Sequence, residues 1–220
     1  MNKINSSKST LYKSLYDDEP KKPSKRKKDV EDEHSKSSKE MFTEIDYGVN
    51  INESIVYLHG DIVLGNLFDI ISKVRLILAN RPAEKAKDAI TLLLNTNGGD
   101  VYEALGIIDY MESLEVPVNV IARGRAMSAG AMILCCGTGV RAAAKSTSIM
   151  IHESSAEVYG KSADLKANAD HIEALDEDFY KVMETKTKQS EDFWRKSCRK
   201  DFYMSAEKAK ELGLIDEVII

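Results

Sequence analysis

The chain has 220 residues, of which 43% are hydrophobic and 30% are charged, so it is long enough for one folded domain with a substantial core. Its net charge of -5 gives no general reason to expect a nucleic acid as a partner. No apolar run approaches the roughly 18 residues that a membrane span needs. Three cysteines, two of them adjacent, make a poor disulfide framework and lack metal-ligand spacing, which predicts a reducing, cytoplasmic location and no cofactor.

The composition of the chain changes near residue 40. Residues 1–40 carry 11 Lys or Arg against 8 Asp or Glu, a net charge of +3, and they include eight serines. Such a segment buries too little apolar surface to offset the entropy that ordering would cost. We therefore predict a disordered charged tail or propeptide over residues 1–45 and a folded domain over residues 46–220.

From Ser54 onward, apolar runs with the spacing of strands alternate with runs that have the spacing of helices. In chain order these predict the strand Ser54–Leu58, the helix Leu64–Ala79, the strand Ala89–Leu94, the helix Val101–Leu114, the strand Val118–Ala122, the helix Ala129–Cys136, the strand Ser148–His152, the helices Ser162–Lys188 and Ser190–Cys198, a helix from Ser205 to Gly213, and the strand Leu214–Ile220. Asn95–Gly99 has the composition of a turn, and Asp100 with Glu103 has the spacing of a capping box. This alternation predicts an α/β fold of βαβ units on a largely parallel sheet.

The stretch Arg123–Gly130, R-G-R-A-M-S-A-G, places Ser128 between a predicted strand and a predicted helix. Backbone N–H groups at a helix start carry partial positive charge, and a serine beside them with a base nearby can act as an acyl-transfer nucleophile. The pair Gly98-Gly99 lets the backbone approach a substrate closely, so that the N–H groups of Gly99 and Ala129 could together hold an oxyanion. Taken alone, the glycine pair is better explained as an ordinary turn before a capped helix.

A base for this serine would come from one of four histidines, His34, His59, His152 and His171. His152 is the best placed, because it ends a predicted strand and functional side chains gather at the carboxyl ends of parallel strands. An acid that would orient the histidine is less obvious. A predicted loop position favours Asp201, but position alone does not select among the candidates Asp164, Asp170, Asp192, Asp201 and Asp216.

Four motifs, taken in order, resemble the successive motifs of a known family. They are N-T-N-G-G-D-V, R-A-M-S-A-G-A-M-I-L, S-I-M-I-H-E and D-F-Y-M-S-A-E-K-A-K-E-L-G-L-I-D, between Asn95 and Asp216. The chain from about Ser54 to Ile220 is similar to ClpP, the proteolytic subunit of the ATP-dependent Clp protease. The resemblance implies a crotonase/ClpP-like spiral of βαβ units with a protruding handle helix, Ser162–Lys188.

The resemblance also implies an activity and its residues. It makes Ser128 the nucleophile, His152 the base and Asp201 the acid of a serine endopeptidase. The oxyanion-hole donors fall on the backbone N–H groups of Gly99 and Ala129. The implied substrate is an unfolded polypeptide, cleaved inside a homo-oligomeric chamber of heptameric rings stacked as a tetradecamer. An AAA+ unfoldase is the implied partner, with neither nucleic acid nor membrane.

Several features depart from the family pattern. The charged tail stands where the family has a largely apolar axial loop, A-E-V-Y-G at Ala156–Gly160 replaces a Gly-rich strand, and the usual proline does not follow Glu153. These departures suggest a divergent, phage-encoded member, and a phage head-maturation protease with the same triad is one alternative. A non-catalytic ring subunit is another. A crotonase-type acyl-CoA enzyme would need acidic catalysts, and a Ser–Lys peptidase would need a lysine such as Lys145.

Overall fold

The computed structural model describes Ser38, residues 41–156 and residues 159–220. Its contacts divide the chain into two units, Met1–Phe42 and Thr43–Ile220. Most of the tail predicted over residues 1–45 lies outside the described residues, so that the tail stays a prediction. Within the described part of the chain, none of the helices combines the length and the apolar character that crossing a membrane requires.

The strands of the second unit form one sheet. In chain order they are β1 Val49–Asn50, β2 Ile55–Ile62, β3 Ile90–Gly99, β4 Val118–Met127, β5 Arg141–Ala144, β6 Ser148–Ile151, β7 Phe202–Ser205 and β8 Glu217–Ile219. Strands β2, β3, β4, β5 and β8 lie side by side in parallel, and β6 is parallel to β4. Only two pairings among the described residues are antiparallel, β1 with β2 and β6 with β7. The predicted α/β fold with a largely parallel sheet is confirmed.

Helices follow the strands as the apolar spacing predicts. They are α1 Asn66–Asn80, α2 Val101–Ser113, α3 Ala129–Cys135, α4 Ser162–Lys186, α5 Glu191–Ser197 and α6 Ala206–Leu212, with a short 3-10 turn at Ala83–Lys85. Asp100 begins α2 by accepting hydrogen bonds from the N–H groups of Tyr102 and Glu103. The other half of the predicted capping box is absent, because the Glu103 carboxylate accepts from the N–H of Leu67 instead. That bond ties α2 to the start of α1.

Strand β3 is longer than predicted, and the predicted turn at Asn95–Gly99 is wrong. The strand continues through Gly99, with Asp61 opposite Gly98 and Ile62 opposite Gly99 on β2. A Cβ on Gly99 would overlap the backbone of Ile62, so the glycine serves a close approach of two strands. Glycine and asparagine give a turn-like composition here even though the backbone stays in the sheet.

Strand β4 positions the site, because its two halves pair with different neighbours. Val120–Ala122 pairs with β5, and Arg125–Met127 pairs with β6. Gly124 lies between the halves at φ 84°. The predicted end of this strand at Ala122 is too early: polar residues after it break the apolar pattern, but their backbone remains paired. The extension carries the chain directly to Ser128.

The long helix α4 confirms the helix predicted over Ser162–Lys188, apart from its last two residues. Its first half is exposed, and only Tyr180 and Met183 are buried. Leu165, on the predicted apolar face, is exposed, whereas Phe179 packs against the core. The helix therefore protrudes at its start and is anchored at its end, where the resemblance predicts a handle.

Candidate active site

Ser128 lies at the junction of β4 and α3, in a backbone conformation that residues other than glycine rarely adopt. Its φ is 52° and its ψ is -125°. Such a conformation costs on the order of 1–3 kcal/mol and persists only where the surroundings hold it. Three backbone bonds do so: the N–H of Ser128 donates to the carbonyl of Met150 at 2.8 Å, and its carbonyl accepts from the N–H groups of Ala131 at 2.9 Å and Met132 at 3.3 Å. Every residue of α3 is buried, which fixes the turn from the other side.

His152 reaches Ser128 because β4 and β6 are parallel neighbours. Met127 pairs with Met150, so that the residues that follow these two strands emerge at the same edge of the sheet. The Nε2 of His152 lies 2.9 Å from the Oγ of Ser128. The side chain of His152 is 24% exposed, which leaves it accessible from the cleft described below. The two residues singled out from the sequence are therefore within hydrogen-bond distance.

Asp201 stands on the other side of the imidazole. Strands β6 and β7 are antiparallel with Ile151 opposite Phe202, which brings the residue after Ile151 beside the residue before Phe202. The Nδ1 of His152 lies 3.5 Å from the Oδ1 of Asp201, and the Asp201 side chain is 54% exposed. This contact is longer than an ordinary N–H···O bond, so the acid is held more loosely than the serine.

The other acids proposed from the sequence have different partners or positions. Asp192 forms an ion pair with Lys196 at 2.6 Å, and Asp216 forms one with Arg141 at 2.6 Å. Asp164 and Asp170 lie on the exposed first half of α4. Strand β7, which sets the position of Asp201, was not predicted, because four residues with one buried side chain carry too little pattern.

The other histidines occupy separate places. The Nε2 of His171 on α4 lies 2.8 Å from the hydroxyl of Tyr102, and the two rings stack. His59 belongs to β2, and His34 lies outside the described residues. Lys145 follows β5 and is not among the described residues that line the cleft around Ser128. Of the described histidines, only His152 contacts this serine.

The end of β3 packs directly against Ser128. Gly98 has φ 95°, and a Cβ there would lie 2.6 Å from the carbonyl oxygen of Met127 and 2.7 Å from the Cβ of Ser128. The fully buried Thr96 holds this strand end, because its Oγ1 accepts from the N–H of Gly98 at 3.0 Å. Gly99 and Ala129, the proposed oxyanion donors, line the same cleft as Ser128. Thr96 was not singled out from the sequence, where a lone buried threonine carries no signal.

A cleft of about 680 Å³ contains these groups. Strand ends and the start of α2 form one side, and the handle helix α4 forms the other. Its apolar lining consists mainly of Leu105, Met132, Met150, Ile172, Leu175 and Phe179. Part of the apolar face predicted on α4 therefore borders the cleft. The cleft offers apolar surface for a substrate side chain beside the serine.

The cysteines do not compete with Ser128 as nucleophiles. Burial raises the pKa of Cys135 to about 12, of Cys136 to about 11 and of Cys198 to about 12. Their thiols therefore stay protonated at neutral pH, where only a thiolate would attack. Over residues 41–156 and 159–220 the structure shows no grouping of His, Cys, Asp and Glu suited to a metal ion.

Comparisons with known proteins agree with this architecture. The family model described as Clp protease matches residues 37–220. A protein of Synechococcus sp. (strain CC9605), "ATP-dependent Clp protease proteolytic subunit 2", is 34% identical over 174 residues, which are 79% of this chain and 86% of the relative. "ATP-dependent Clp protease proteolytic subunit 1" of Prochlorococcus marinus (strain NATL2A) is 32% identical over 78% of this chain and 86% of the relative.

The family match covers all of the described residues. It agrees with the α/β fold. The description of the family and the names of these relatives indicate that the chain is a peptidase. The chain belongs to the Clp protease family.

Proposed function

We propose that the chain is a serine endopeptidase in which Ser128, His152 and Asp201 form the catalytic triad. The Oγ of Ser128 attacks the peptide carbonyl while the Nε2 of His152 takes its proton. Asp201 keeps the imidazole in the tautomer that leaves Nε2 free to accept that proton. The negative charge that develops on the carbonyl oxygen is held by the N–H groups of Gly99 and Ala129.

The second half of the reaction reverses these roles. His152 returns the proton to the leaving amine, which departs and leaves an acyl ester on Ser128. A water molecule then gives a proton to His152 and attacks the ester, and collapse of the second tetrahedral intermediate releases the acid product and restores the serine. That collapse returns the proton from His152 to the Oγ of Ser128, so every proton transfer in the sequence passes through His152.

The observation that carries the proposal is the 2.9 Å contact between the His152 Nε2 and the Ser128 Oγ. A nucleophile within hydrogen-bond distance of a base, with a third group behind the base, is the arrangement that serine acylation requires. The strained backbone of Ser128 supports the same proposal, because such strain persists where it serves a function.

Active-site labelling tests the proposal without knowledge of the natural substrate. The full-length protein is treated with a fluorophosphonate probe, and the modified residue is identified by peptide mass mapping. We expect Ser128 to be labelled, Ser128→Ala to be unlabelled, and His152→Ala to react about 10²-fold more slowly. Ser155→Ala is the matched control, since Ser155 lines the same cleft and keeps no proposed role.

The possible results distinguish between the functions considered for the chain. Equal labelling of Ser128→Ala and the wild type would refute the triad. A folded wild-type protein that resists the probe would favour a non-catalytic ring subunit. Hydrolysis of a fluorogenic peptide, lost in Ser128→Ala and kept in Ser155→Ala, would complete the case for an endopeptidase.

The proposal extends to assembly and partners. Homo-oligomeric heptameric rings, stacked as a tetradecamer, would enclose the cleft in a chamber for unfolded polypeptides fed by an AAA+ unfoldase. Two observations support assembly: Leu64 is 88% exposed, and Val63 and Phe68 beside it are also exposed. A cluster of large apolar side chains at a surface favours burial against another subunit. Native mass spectrometry measures the number of subunits, and a monomer at micromolar concentration would contradict the ring.

A further inference from the structure

Two side chains of the handle helix hold the residues that directly follow His152. The hydroxyl of Tyr180 donates to the Oε1 of Glu153 at 3.0 Å. The Oδ1 of Asp176 accepts from the N–H of Ser154 at 2.9 Å. These bonds attach α4 to the segment that directly follows His152. Residues one and two positions after the proposed base are therefore fixed by one helix.

The same segment is joined to the chain that leads to Asp201. The N–H of Glu153 donates to the carbonyl of Cys198 at 2.9 Å. Cys198 follows α5 and stands three residues before Asp201. Glu153 thus joins two segments: its backbone N–H bonds to the segment that leads to Asp201, and its side chain bonds to α4.

A second contact between α4 and α5 supports the ring of Tyr180. Arg195 on α5 places its guanidinium 4.7 Å from the centre of that ring and forms a bidentate ion pair with Glu177 on α4. Its Nη2 also contacts Glu191 at 2.6 Å. A planar guanidinium held at both ends is a rigid cover for an aromatic face. Tyr180 is therefore fixed by packing as well as by its hydroxyl.

The chemistry of Tyr180 and Glu153 favours a stable hydrogen bond between them. Tyr180 is buried, with 2% of its surface exposed. Burial, together with the hydrogen bond to Glu153, raises the pKa of Tyr180, so that its hydroxyl remains a donor at every working pH. A buried donor that bonds to a carboxylate makes one of the stronger hydrogen bonds in proteins, and its loss leaves both groups poorly satisfied.

We propose that Glu153 and Tyr180 are a positioning pair that sets the distance between His152 and Asp201. This inference rests on the proposed triad and adds residues to it that touch no substrate. The need for such a pair follows from the geometry of the acid. Asp201 is half exposed and 3.5 Å from the imidazole, so its own contact with His152 is too weak to fix that distance. The backbone of β6 and β7 brings the two residues near each other, and the Glu153–Tyr180 pair stabilises their alignment.

The pair acts on a site that several charged groups surround. Asp201 lies beside the imidazole from the β7 side, and Glu153 is next in the chain. Asp176 from α4 contacts the N–H of Ser154, and Arg195 from α5 lies over the Tyr180 ring. If the pair is broken, Asp201 moves relative to the imidazole, and the imidazolium formed during the reaction is stabilised less. The acid side of the pH–rate profile then moves to lower pH, and kcat falls while KM changes little.

The test uses the full-length protein, a fluorogenic peptide and the fluorophosphonate probe. Tyr180→Phe removes one hydroxyl and keeps the ring beneath Arg195, and we expect kcat and the labelling rate to fall roughly three- to ten-fold. Glu153→Ala is expected to fall by a similar factor, with no further loss in the double variant. Glu153→Gln keeps an acceptor for the hydroxyl and retains most of the activity.

Tyr110→Phe is the matched control, because Tyr110 is a partly buried tyrosine on α2 outside the site. The proposal is overturned if Tyr180→Phe keeps the kcat and pH profile of Tyr110→Phe, or if the effects of Tyr180→Phe and Glu153→Ala multiply. Should Tyr180→Phe fail to fold, Glu153→Ala and Glu153→Gln decide the question alone: equal activities in these two overturn it. Labelling that persists in Ser128→Ala would instead refute the triad itself, which separates the two failures.

Discussion

The two arms of the cleft are built in different ways. The arm of the nucleophile, with Ser128 and Gly98-Gly99, stands on the ends of β3 and β4 and on the wholly buried helix α3. The arm of the base and acid, with His152 and Asp201, stands on the four-residue strands β6 and β7. Side chains of α4 and α5 brace this second arm from outside the sheet.

The difference is also visible in the distances. Within the nucleophile arm, the N–H of Gly98 lies 3.0 Å from the Oγ1 of Thr96 and the N–H of Ala131 lies 2.9 Å from the carbonyl of Ser128. Within the arm of the base and acid, the Nδ1 of His152 lies 3.5 Å from Asp201. Backbone packing in a core tolerates little change, because a displaced strand collides with its neighbours. Side-chain bonds at a half-exposed edge allow graded movement. We therefore expect substitutions in the nucleophile arm to cause large losses of kcat, and substitutions in the arm of the base and acid to cause graded losses.

The largest effect is expected from Gly98→Ala. A Cβ at this position would lie 2.6 Å from the Met127 carbonyl and 2.7 Å from the Cβ of Ser128, so the end of β3 must shift away from the nucleophile. Displacing one oxyanion donor typically costs about 10²–10³ in kcat, and we expect a loss of that size. The measurement is kcat on a fluorogenic peptide, with circular dichroism to verify folding.

Gly60→Ala is the control for this substitution. Gly60 also has a positive φ, 83°, but a Cβ there meets nothing within 4 Å. Both variants incur the conformational cost of a left-handed alanine, on the order of 1–2 kcal/mol. Only Gly98→Ala adds a collision beside Ser128. Equal kcat values in the two variants would mean that the nucleophile arm is not rigid.

Asp201→Asn should have a smaller effect, which measures the acid arm directly. The amide keeps the size of the side chain but removes the charge that stabilises the imidazolium and selects its tautomer. The corresponding change in a tightly bonded triad costs about 10⁴ in kcat, and we expect about 10² here because the contact is long and half exposed. Asp192→Asn on α5 is the control, since Asp192 pairs only with Lys196 among the described contacts of its side chain. A loss of 10⁴ would show that the acid arm closes tightly in solution.

Thr96→Val comes next and tests the support of the nucleophile arm without a steric change. The Oγ1 of Thr96 accepts from the N–H of Gly98, and valine leaves that buried donor unsatisfied. We expect the free energy of unfolding to fall by about 1–3 kcal/mol and kcat to fall roughly ten-fold, as the end of β3 loosens. Urea denaturation and peptide hydrolysis measure the two effects.

The control for Thr96→Val is Thr147→Val. Thr147 is also buried, and its hydroxyl donates to the carbonyl of Ala122 at 3.2 Å, in the half of β4 that does not reach the site. This variant should lose stability and keep kcat. A similar loss of kcat in both variants would indicate that stability alone, and not the position of Gly98, limits the reaction.

The difference between the two arms also explains how much of the structure the sequence could predict. The apolar runs on either side of Ser128 are long, and they predicted the strand, the helix and the place of the serine between them. The ends of β3 and β4 were missed because glycine, asparagine and arginine interrupt the apolar pattern there. Those residues are present because two strands approach closely and β4 changes its partner strand. Both are features of the tertiary structure that a local sequence pattern does not show.

The acid arm was less predictable for a related reason. His152 followed from a strand end, but Asp201 depends on the antiparallel pairing of β6 with β7, which no local pattern reveals. Only the resemblance to ClpP selected Asp201 from five candidates. Tyr180 and Glu153 were not selected at all, since their roles arise from a contact between residues 27 positions apart. Side-chain networks of this kind leave no periodic trace in a sequence.

The smallest effect is expected at Asp216, outside both arms. Arg141 donates to this carboxylate through its side chain and its backbone N–H, which lowers the pKa of Asp216. Because the pKa is lower in the folded state than in the unfolded state, the pair stabilises the fold at neutral pH, and that stabilisation is lost as the pH falls below about 4. Asp216→Asn should therefore lower the free energy of unfolding at pH 7 by at most about 1 kcal/mol, since the carboxylate is 42% exposed and screened.

Urea denaturation of wild type and Asp216→Asn at pH 7 and at about pH 3 measures this difference, which should become smaller at the lower pH. Peptide hydrolysis at pH 7 should be unchanged. Arg141 begins β5, which pairs with the first half of β4, whereas Ser128 follows the second half. If kcat fell together with stability in Asp216→Asn, the first half of β4 would transmit strain to the nucleophile, and the rigidity of that arm would extend across the whole strand.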